Sequence, residues 1–444
     1  MYLSFKRDVA VIVDGYSSGT QIAPAFRAKG IFCVHVRSEA DVTPDYATTF
    51  KPHDFIEDIL FEDIQSLRDR LTHCNVRWVL PGSELGVGLA ARLADVFQTE
   101  CRNDETMAEC WRNKHSMHEA LKRAGVRSIP HFLTQDCEAM VCWADTVAGY
   151  PLVIKPKASS GTDNIHICHT PEEVRHGFDS IMGQLDAFLH RNNDVLGQVF
   201  LRNEEFGSPR MEGAGFDVEY CVNTVSLNGT HFVNDVIKVY RRRVGDNPVH
   251  DFNELLCPVA NATEYEAFGA YIGQVLGALG ICNGPAHSEL MVVNGEPVLL
   301  ETGARMPGSN DMSAYSKALG FAQVELWMLA CTNPQAFVDF VARPRTPLSH
   351  HSSCVFLISD VEGQIVNPPD IGPWLALPDL HSITLQQEGQ ITRTADLNNV
   401  PGYIFILARD KADLAAQRKA LRDSEQAIYQ GMIDPHHKQA RKFA

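Results

Sequence analysis

Two glutamates, Glu289 and Glu301, lie on either side of an Asn294-Gly295 dipeptide. Both flanking segments are apolar and β-prone, and Asn-Gly between such segments is a strong signal for a tight β-hairpin. A strict two-residue turn would place Glu289 opposite Leu300, so a one-residue bulge is needed to bring Glu301 opposite. Carboxylates with Cβ atoms roughly 5 Å apart repel each other unless a cation lies between them, and Mg²⁺ takes such oxygen ligands together with substrate phosphates. The hairpin therefore predicts a magnesium–nucleotide site, with two solvated strand glutamates as the alternative.

A second group that could handle phosphate follows a buried strand earlier in the chain. The strand ends at Lys155, and a loop of small residues with Ser159, Ser160 and Gly161 comes soon after it. A lysine at the mouth of a buried strand needs an anionic partner, because burying an unpaired charge is costly. The backbone N–H groups of a small-residue loop can surround phosphate oxygens, and glycine permits close approach. A lysine that reaches solvent beside an ordinary turn is the alternative.

The composition of the chain is that of a soluble globular protein with two or three domains. It has 444 residues, of which 45% are hydrophobic and 21% are charged, so a sizeable core is possible. The net charge of −16 argues against a nucleic-acid surface. The 12 cysteines include no C-x-x-C pair, which argues against zinc and favours reduced thiols. No apolar run is long enough to span a bilayer and no secretory segment is visible, so we expect a cytoplasmic protein without membrane or nucleic-acid partners.

The first hundred residues alternate between short apolar strands and helices, which is typical of a parallel α/β sheet. Ligands of such sheets bind beyond the carboxyl ends of the strands, here near residues 15–20 and 81–84. The first of these turns lacks G-x-G-x-x-G spacing. This argues against a nicotinamide-dependent oxidoreductase, which is the alternative from a different class.

The rest of the chain is predicted to be rich in strands and hairpins, after a helix over residues 114–124. Asn228-Gly229 joins two long strands, and a helix over residues 264–279 precedes the hairpin of the two glutamates. One continuous helix is predicted from residue 313 through residue 330. Further strands follow, and the last helix is predicted over residues 411–432.

Three motifs in this order resemble the ATP-grasp superfamily. They are Gly-Tyr-Pro-Leu-Val-Ile-Lys-Pro at residues 149–156, the Ser-Ser-Gly loop at 159–161, and Glu-x11-Glu-x3-Arg at 289–305. The resemblance implies an α/β and α+β protein that holds ATP between two α+β subdomains after a Rossmann-like domain. It implies an N-terminal α/β domain at 1–110, a small subdomain forming the nucleotide lid at 111–200, a central subdomain with the metal site at 201–345, and a C-terminal β-rich lobe at 346–444.

The resemblance also implies a role for individual residues. Lys155 and Lys114 would contact phosphates, Ser159, Ser160 and Gly161 would form the mobile phosphate loop, and Glu289 and Glu301 would bind Mg²⁺ or Mn²⁺. The adenine hinge would be formed by Gln198, Phe200 and Leu201, with Glu219 near the ribose or the phosphate lysines. Lys238 or one of the arginines at 241–243 would approach the γ-phosphate, with a solvated basic loop as the alternative. Arg305 would grip the transferred phosphoryl group, Gly308 and Ser309 would hold a substrate carboxylate, and His287 would touch that carboxylate or orient the metal site, unless it is a core histidine.

Within the superfamily, the chain is most similar to the L-amino acid ligases that make dipeptides. The similarity lies in His-Ser-Glu-Leu at 287–290, Glu-Thr-Gly-Ala-Arg-Met-Pro-Gly at 301–308 and Val-Pro-Gly-Tyr-Ile-Phe-Ile-Leu at 400–407. It implies that ATP activates one amino acid as an aminoacyl phosphate, which the amine of the second attacks. Amino acids would be the partners, and a homodimer is one candidate assembly. Selectivity is expected from loops at 81–84, 244–256 and 309–315. Another ATP-grasp ligase and a non-catalytic nucleotide-binding protein are the alternatives.

Overall fold

The computed structural model describes residues 6–158, 164–186, 189–202, 206, 217–244, 247–308, 312–395 and 397–434. Four predicted site residues, Ser159, Ser160, Gly161 and Ser309, lie outside the described residues. The predicted fold class, a parallel α/β unit followed by α+β units and a β-rich C-terminal region, is confirmed. Among the described helices, none has both the length and the apolar character that crossing a membrane requires.

A parallel sheet forms the N-terminal unit. Its described strands are β1 (Arg7–Val13), β2 (Phe32–Arg37), β3 (Glu57–Leu60) and β4 (Cys74–Pro81), and the helices around it are α1 (Ile22–Arg27), α2 (Pro44–Ala47), α3 (Ile64–Arg70) and α4 (Val87–Val96). The strand order is β3-β2-β1-β4. Strand β1 is buried from Val9 to Val13 because apolar side chains cover both of its faces, as is usual for a parallel sheet.

A smaller antiparallel sheet follows, with the strand order β5-β8-β6-β7 in the described chain. Its elements are α5 (Lys114–Arg123), β5 (His131–Thr134), α6 (Cys137–Trp143), β6 (Leu152–Lys155), β7 (His166–Cys168), α7 (Pro171–Ile181) and β8 (Val195–Val199). Helix α5 begins where it was predicted, because the Asn113 side chain caps it by accepting from the backbone N–H groups of His115 and Ser116.

A large antiparallel sheet carries the paired glutamates. The remaining described strands are β9 (Asp217–Leu227), β10 (Thr230–Val244), β11 (Asn247–Leu255), β12 (Gly284–Val293), β13 (Glu296–Gly303), β14 (His351–Phe356), β15 (Gly363–Ile365), β16 (Leu380–Leu385), β17 (Gln390–Ile391), β18 (Gly402–Ala408) and β19 (Ile433–Asp434). The helices are α8 (Ala262–Ala278), α9 (Ser313–Leu319), α10 (Gln323–Thr332), α11 (Pro334–Val341), α12 (Gly372–Leu375) and α13 (Lys411–Met432). The order in the large sheet is β13-β12-β9-β10-β11-β14-β18-β16.

The C-terminal strands continue this large sheet. Strand β14 pairs with β11, with Asn253 opposite Cys354. Helix α13 lies against the same junction, where Arg422 donates hydrogen bonds to the backbone oxygen (2.8 Å) and the carboxylate (2.5 Å) of Asp251 on β11. The division at residue 345 therefore remains a prediction, and strands from both sides of it share hydrogen bonds.

The single helix predicted over residues 313–330 is wrong, because the structure has two helices there. Helix α9 ends at Leu319, and Gly320 adopts a left-handed conformation (φ 85°) that closes its last turn. Helix α10 then starts with Gln323 and packs against the N-terminal sheet, where the Trp78 indole N–H donates to the carbonyl of Cys331 at 3.1 Å. The break lets α9 lie along the large sheet while α10 joins that sheet to the N-terminal unit.

Candidate active site

The Glu289/Glu301 hairpin has the predicted geometry. Asn294 and Gly295 both have positive φ (54° and 76°), as a type I′ turn requires. The register places Glu289 opposite Glu301, whereas Leu290 faces Leu299, so Leu300 is the extra residue of a bulge. The bulge turns both carboxylates towards one face of the large sheet.

Two lysines lie near these carboxylates. Lys114, the first residue of α5, places its Nζ 2.5 Å from Glu301 Oε2. Lys155, the last residue of β6, is buried, and no described carboxylate lies within ion-pair distance of it. Burial, and then the charge of Lys114, lowers the pKa of Lys155 to about 8, while Glu301, Glu289 and Glu219 oppose this shift. A buried ammonium without a close counterion suits an incoming anion such as phosphate.

Glu219 adds a third carboxylate on the same face. It lies on β9, and its Oε2 is 2.7 Å from a guanidinium nitrogen of Arg241 on β10. Burial raises the pKa of Glu219 to about 8; Arg241 opposes this rise and Glu289 adds to it. Although burial alone would raise it, the hydrogen bond and charge of His287 hold the pKa of Glu289 well below its usual range. Three carboxylates this close favour a bound cation.

Arg241, and not Lys238, is the basic residue that β10 brings to this face. Arg241 and Glu219 lie on the same side, because cross-strand partners share a face and Val239 pairs with Glu219. Lys238 pairs with Tyr220 and points to the other face, where its Nζ lies 4.9 Å from the centre of the Tyr240 ring. The contact of Lys238 with nucleotide remains a prediction, and strand alternation places Lys238 on the face opposite that of Glu219.

His287 is connected to a buried carboxylate through an asparagine. Its Nδ1 lies 2.7 Å from Asn223 Oδ1, and Asn223 Nδ2 donates to Asp235 Oδ1 at 2.6 Å. Because the Asn223 amide donates to a carboxylate, its oxygen accepts the Nδ1–H of His287. The other ring nitrogen, Nε2, is 3.4 Å from Glu289 Oε1. His287 thus presents Nε2 beside the acid pair.

A neighbouring cysteine completes a set of donors around Glu289. The ligand atoms of Cys221, His287 and Glu289 lie within 4.8 Å of one another. Burial, and then the Glu289 carboxylate, raises the pKa of the Cys221 thiol well above its usual value. A neutral thiol is a poor ligand for a hard cation, so the oxygen donors of Glu289 and Glu301 fit Mg²⁺ better than this set fits a softer metal.

Arg305 is held by a glutamate that the sequence analysis did not select. Its Nε donates to Glu84 Oε2 at 2.6 Å, and Arg112 Nε lies 3.4 Å from Glu84 Oε1. Although burial alone would raise it, Arg305 and Arg112 hold the pKa of Glu84 below its usual range. Glu84 follows strand β4, at an edge where ligands were predicted. A Cβ on Gly82 would come within 2.5 Å of Gly15 Cα, so the turns after β1 and β4 are in contact.

The structure describes the residues predicted for the adenine hinge and one of the two predicted for the substrate carboxylate, but their roles remain predictions. Gln198 is buried in β8, and its Nε2 has no hydrogen-bond partner among the described residues. Phe200 and Leu201 follow directly and are half-buried, while Gly308 is exposed. The fold also brings charged residues that were not among the predicted site residues close to the acid pair and to Arg305. They include Glu84, Arg112 and Arg241. A local signal existed in the sequence for Arg241, in the run of arginines at 241–243, and for Glu84, in the turn at 81–84, but not for Arg112.

Comparison with known proteins gives one full-length relative and several similar folds. No family model matches the chain. It is 30% identical to dapdiamide A synthase of Enterobacter agglomerans over 450 residues, which covers 97% of this chain and 99% of that one. The structure is similar to an L-amino acid ligase from Bacillus licheniformis (TM-score 0.70, 17% identity, 94% and 97% of the two chains covered). It is also similar to carboxyaminoimidazole ribonucleotide synthase from Aspergillus clavatus complexed with ATP (TM-score 0.63, 14% identity, 96% and 100% covered).

Proposed function

Because the chain belongs to the ATP-grasp superfamily, as an ATP-dependent ligase that forms C–N bonds with ATP and Mg²⁺, we propose that it joins two L-amino acids into a dipeptide. The carboxylate of the first amino acid would attack the γ-phosphorus of ATP, which releases ADP and leaves an aminoacyl phosphate. The amine of the second would then attack the carbonyl carbon, with loss of phosphate and a proton. No covalent bond to the protein is needed.

The observation that carries this proposal is that two lysines lie close to the facing glutamates. Glu289 and Glu301 come from the large sheet, Lys114 is the first residue of α5, and Lys155 is the last residue of β6. Acids on one side and ammonium groups on the other are the complement of a metal–triphosphate. In this proposal Glu289 and Glu301 would hold Mg²⁺, which when bound would supply positive charge to the phosphate oxygens, and the two lysines would bind the phosphates.

Arg305 acts on the transferred phosphoryl group in this proposal. Its guanidinium presents several N–H donors in a fixed fork, and Glu84 fixes the direction of that fork. As an imidazolium, His287 would also carry an N–H on Nε2, and this N–H would donate to the substrate carboxylate in the same region. Positioning and charge stabilisation together account for most of the catalysis expected in phosphoryl transfer.

The choice of amino acids as substrates is supported by the motifs at residues 287–290 and 301–308. The likeness to the L-amino acid ligase, at 17% identity, concerns the fold alone. The folds of ribonucleotide-forming ligases are also similar, with TM-scores of 0.60 and 0.63. A ligase that activates a different carboxylate is therefore the second candidate.

The deciding experiment measures phosphate release from ATP over pairs of L-amino acids, with mass spectrometry of the products. We expect release and a dipeptide mass for some pairs. Hydroxylamine added in place of the second amino acid should trap the aminoacyl phosphate as a hydroxamate. Release that occurs only with another carboxylic acid would establish the second candidate, and ATP binding without turnover on any carboxylate would contradict both.

A further inference from the structure

Three donor side chains on two neighbouring strands form a second candidate metal site beside the acid pair. His287 and Glu289 are two residues apart on β12, and Cys221 on β9 pairs with Glu289. Residues i and i+2 of a strand share a face, and so do cross-strand partners, whose Cβ atoms are roughly 5 Å apart. All three side chains therefore belong to the face of the large sheet that carries the acid pair.

These donors are close enough to one another to hold a single ion. One ligand atom of each side chain lies within 4.8 Å of the other two, and the described residues contain no second group of three histidine, cysteine or acidic side chains that is as compact. Bonds of about 2.0–2.3 Å from Zn²⁺ to nitrogen, sulfur and oxygen would require only small rotations of these side chains. His287 is 13% exposed and Glu289 is 28% exposed, so an ion from solvent can reach the group.

The hydrogen bonds of His287 prepare it to act as a metal ligand. Its Nδ1–H donates to Asn223 Oδ1 at 2.7 Å, and the Asn223 amide donates to the Asp235 carboxylate at 2.6 Å. Nε2 of the neutral ring therefore carries a lone pair, and it lies 3.4 Å from Glu289 Oε1. Metal-binding histidines usually donate their other ring N–H to an oxygen in this way, which fixes the tautomer and the ring orientation.

The donor set suits a borderline transition-metal ion better than it suits Mg²⁺. Imidazole nitrogen and thiolate sulfur are typical ligands of Zn²⁺, whereas Mg²⁺ prefers oxygen. The set is weak while the Cys221 thiol keeps its proton, but Zn²⁺ displaces that proton to the buffer and binds the thiolate. Three protein ligands leave one tetrahedral position for water.

We propose that Cys221, His287 and Glu289 bind Zn²⁺ when no nucleotide is present, and that the bound ion inhibits the enzyme. Glu289 faces both Cys221 and Glu301, so an ion held by Cys221 and His287 draws the Glu289 carboxylate away from Glu301. The ion also occupies Nε2 of His287 and places a positive charge beside the acid pair. The inhibition rests on the proposed function through the role of Glu289 in binding Mg²⁺, whereas Zn²⁺ binding itself does not.

Metal binding is tested on nucleotide-free protein that has been stripped of metal and is kept in a reductant without thiols. Co²⁺ is the probe, because a thiolate ligand gives this ion a charge-transfer absorption band in the near ultraviolet. Zn²⁺ is then titrated into the Co²⁺-loaded protein. We expect the band to saturate at one Co²⁺ per chain and to disappear as Zn²⁺ replaces Co²⁺.

The variant Cys221→Ser tests the sulfur ligand. It should abolish the band and weaken Zn²⁺ binding by at least the roughly 10- to 100-fold that loss of an outer-shell partner causes. Cys282→Ser is the matched control, because Cys282 is also half-buried but belongs to no such donor group among the described residues; its band and its affinity for Zn²⁺ should equal those of the wild type. If Cys221→Ser does not fold, Cys221→Ala takes its place.

Inhibition is measured as phosphate release from ATP in excess Mg²⁺, with free Zn²⁺ set by a metal buffer because ATP itself binds Zn²⁺. The Zn²⁺ concentration for half inhibition should rise in Cys221→Ser by the same factor as the dissociation constant of Zn²⁺. Without Zn²⁺, the turnover of Cys221→Ser should equal that of the wild type, because Cys221 takes no part in the proposed reaction.

The outcomes separate this proposal from the proposed function. A folded wild type without the charge-transfer band, or a band that persists in the folded Cys221 variants, would overturn the metal site. Zn²⁺ bound through Cys221 that leaves turnover unchanged would refute the inhibition. A wild type that binds Zn²⁺ through Cys221 but joins no amino acids would refute the dipeptide proposal and leave the Zn²⁺ site standing.

Discussion

Replacing Glu84 with glutamine should slow the enzyme although Glu84 needs no contact with substrate. The variant keeps the volume and one carbonyl acceptor but removes the negative charge between Arg305 (2.6 Å) and Arg112 (3.4 Å). Hydrogen bonds to charged groups contribute about 1.5–3 kcal/mol, and charge assistance is roughly half of that. The loss is therefore about 1 kcal/mol for the hydrogen bond of Arg305 and a similar amount for the charge attraction of Arg112, or about 2 kcal/mol in total, because both Glu84 and Arg305 are only 12% exposed and solvent screens them little.

The assay is steady-state turnover on the amino-acid pair that the screen identifies, together with urea unfolding of each variant. If this free energy is lost from the stabilisation of the transition state by a correctly oriented Arg305, kcat/KM should decrease by about 10- to 30-fold. Glu57→Gln is the control, since Glu57 pairs with Arg70 in the same unit but is 36% exposed, and such pairs contribute about 0–1 kcal/mol. A Glu84→Gln enzyme with wild-type kcat/KM would refute the idea that Glu84 positions Arg305.

Three further predictions concern the charged groups of the site. Glu301→Gln should remove turnover while the protein stays folded, since a metal ligand is lost; Glu296→Gln on the same hairpin is the control, because Glu296 is 73% exposed and pairs with Arg127, and equal turnover in the two variants would exclude the metal role. Arg305→Lys should lower kcat by about a hundredfold, as one ammonium cannot replace the guanidinium fork; a near-normal kcat would remove Arg305 from phosphoryl transfer. The dissociation constant of ATP, measured by calorimetric titration, should rise with pH above about 8, because Lys155 then loses the positive charge that attracts phosphate. In Lys155→Arg this rise should disappear. A wild-type dissociation constant that does not change with pH would contradict the assignment of Lys155 to phosphate binding.

The acid pair was predictable because its determinants are local. The Asn294-Gly295 turn fixes the register within a few residues, and the need for Glu301 to oppose Glu289 implied the bulge that the structure contains. The same holds for the starts of α5 and of the last helix, which are capped by the side chains of Asn113 and Asp410.

The residues around that pair were harder to predict from the sequence, because their positions depend on packing between distant segments. Glu84 and Arg305 are 221 positions apart, and no local pattern relates them. Strand β10 has a bulge in which Asn234 is the extra residue, between the pairs Val233–Thr224 and Asp235–Asn223, and no turn motif in the sequence marks it. A run of basic residues likewise does not show which of them strand alternation will place on the face of the acid pair. The break at Gly320 was missed because the apolar pattern continues through it, although a glycine there permits the left-handed residue that ends α9.

The continuity of the large sheet across residue 345 has a consequence for any attempt to shorten the protein. A fragment that ended there would lose β14 and α13, so the N–H and C=O groups of β11 that pair with β14 would become an open edge. The same cut would leave Asp251 without Arg422 and would uncover Phe252, which packs against the apolar cluster of the C-terminal region. We expect such a fragment to associate through its bare strand, so residues 1–345 should not fold as an independent unit.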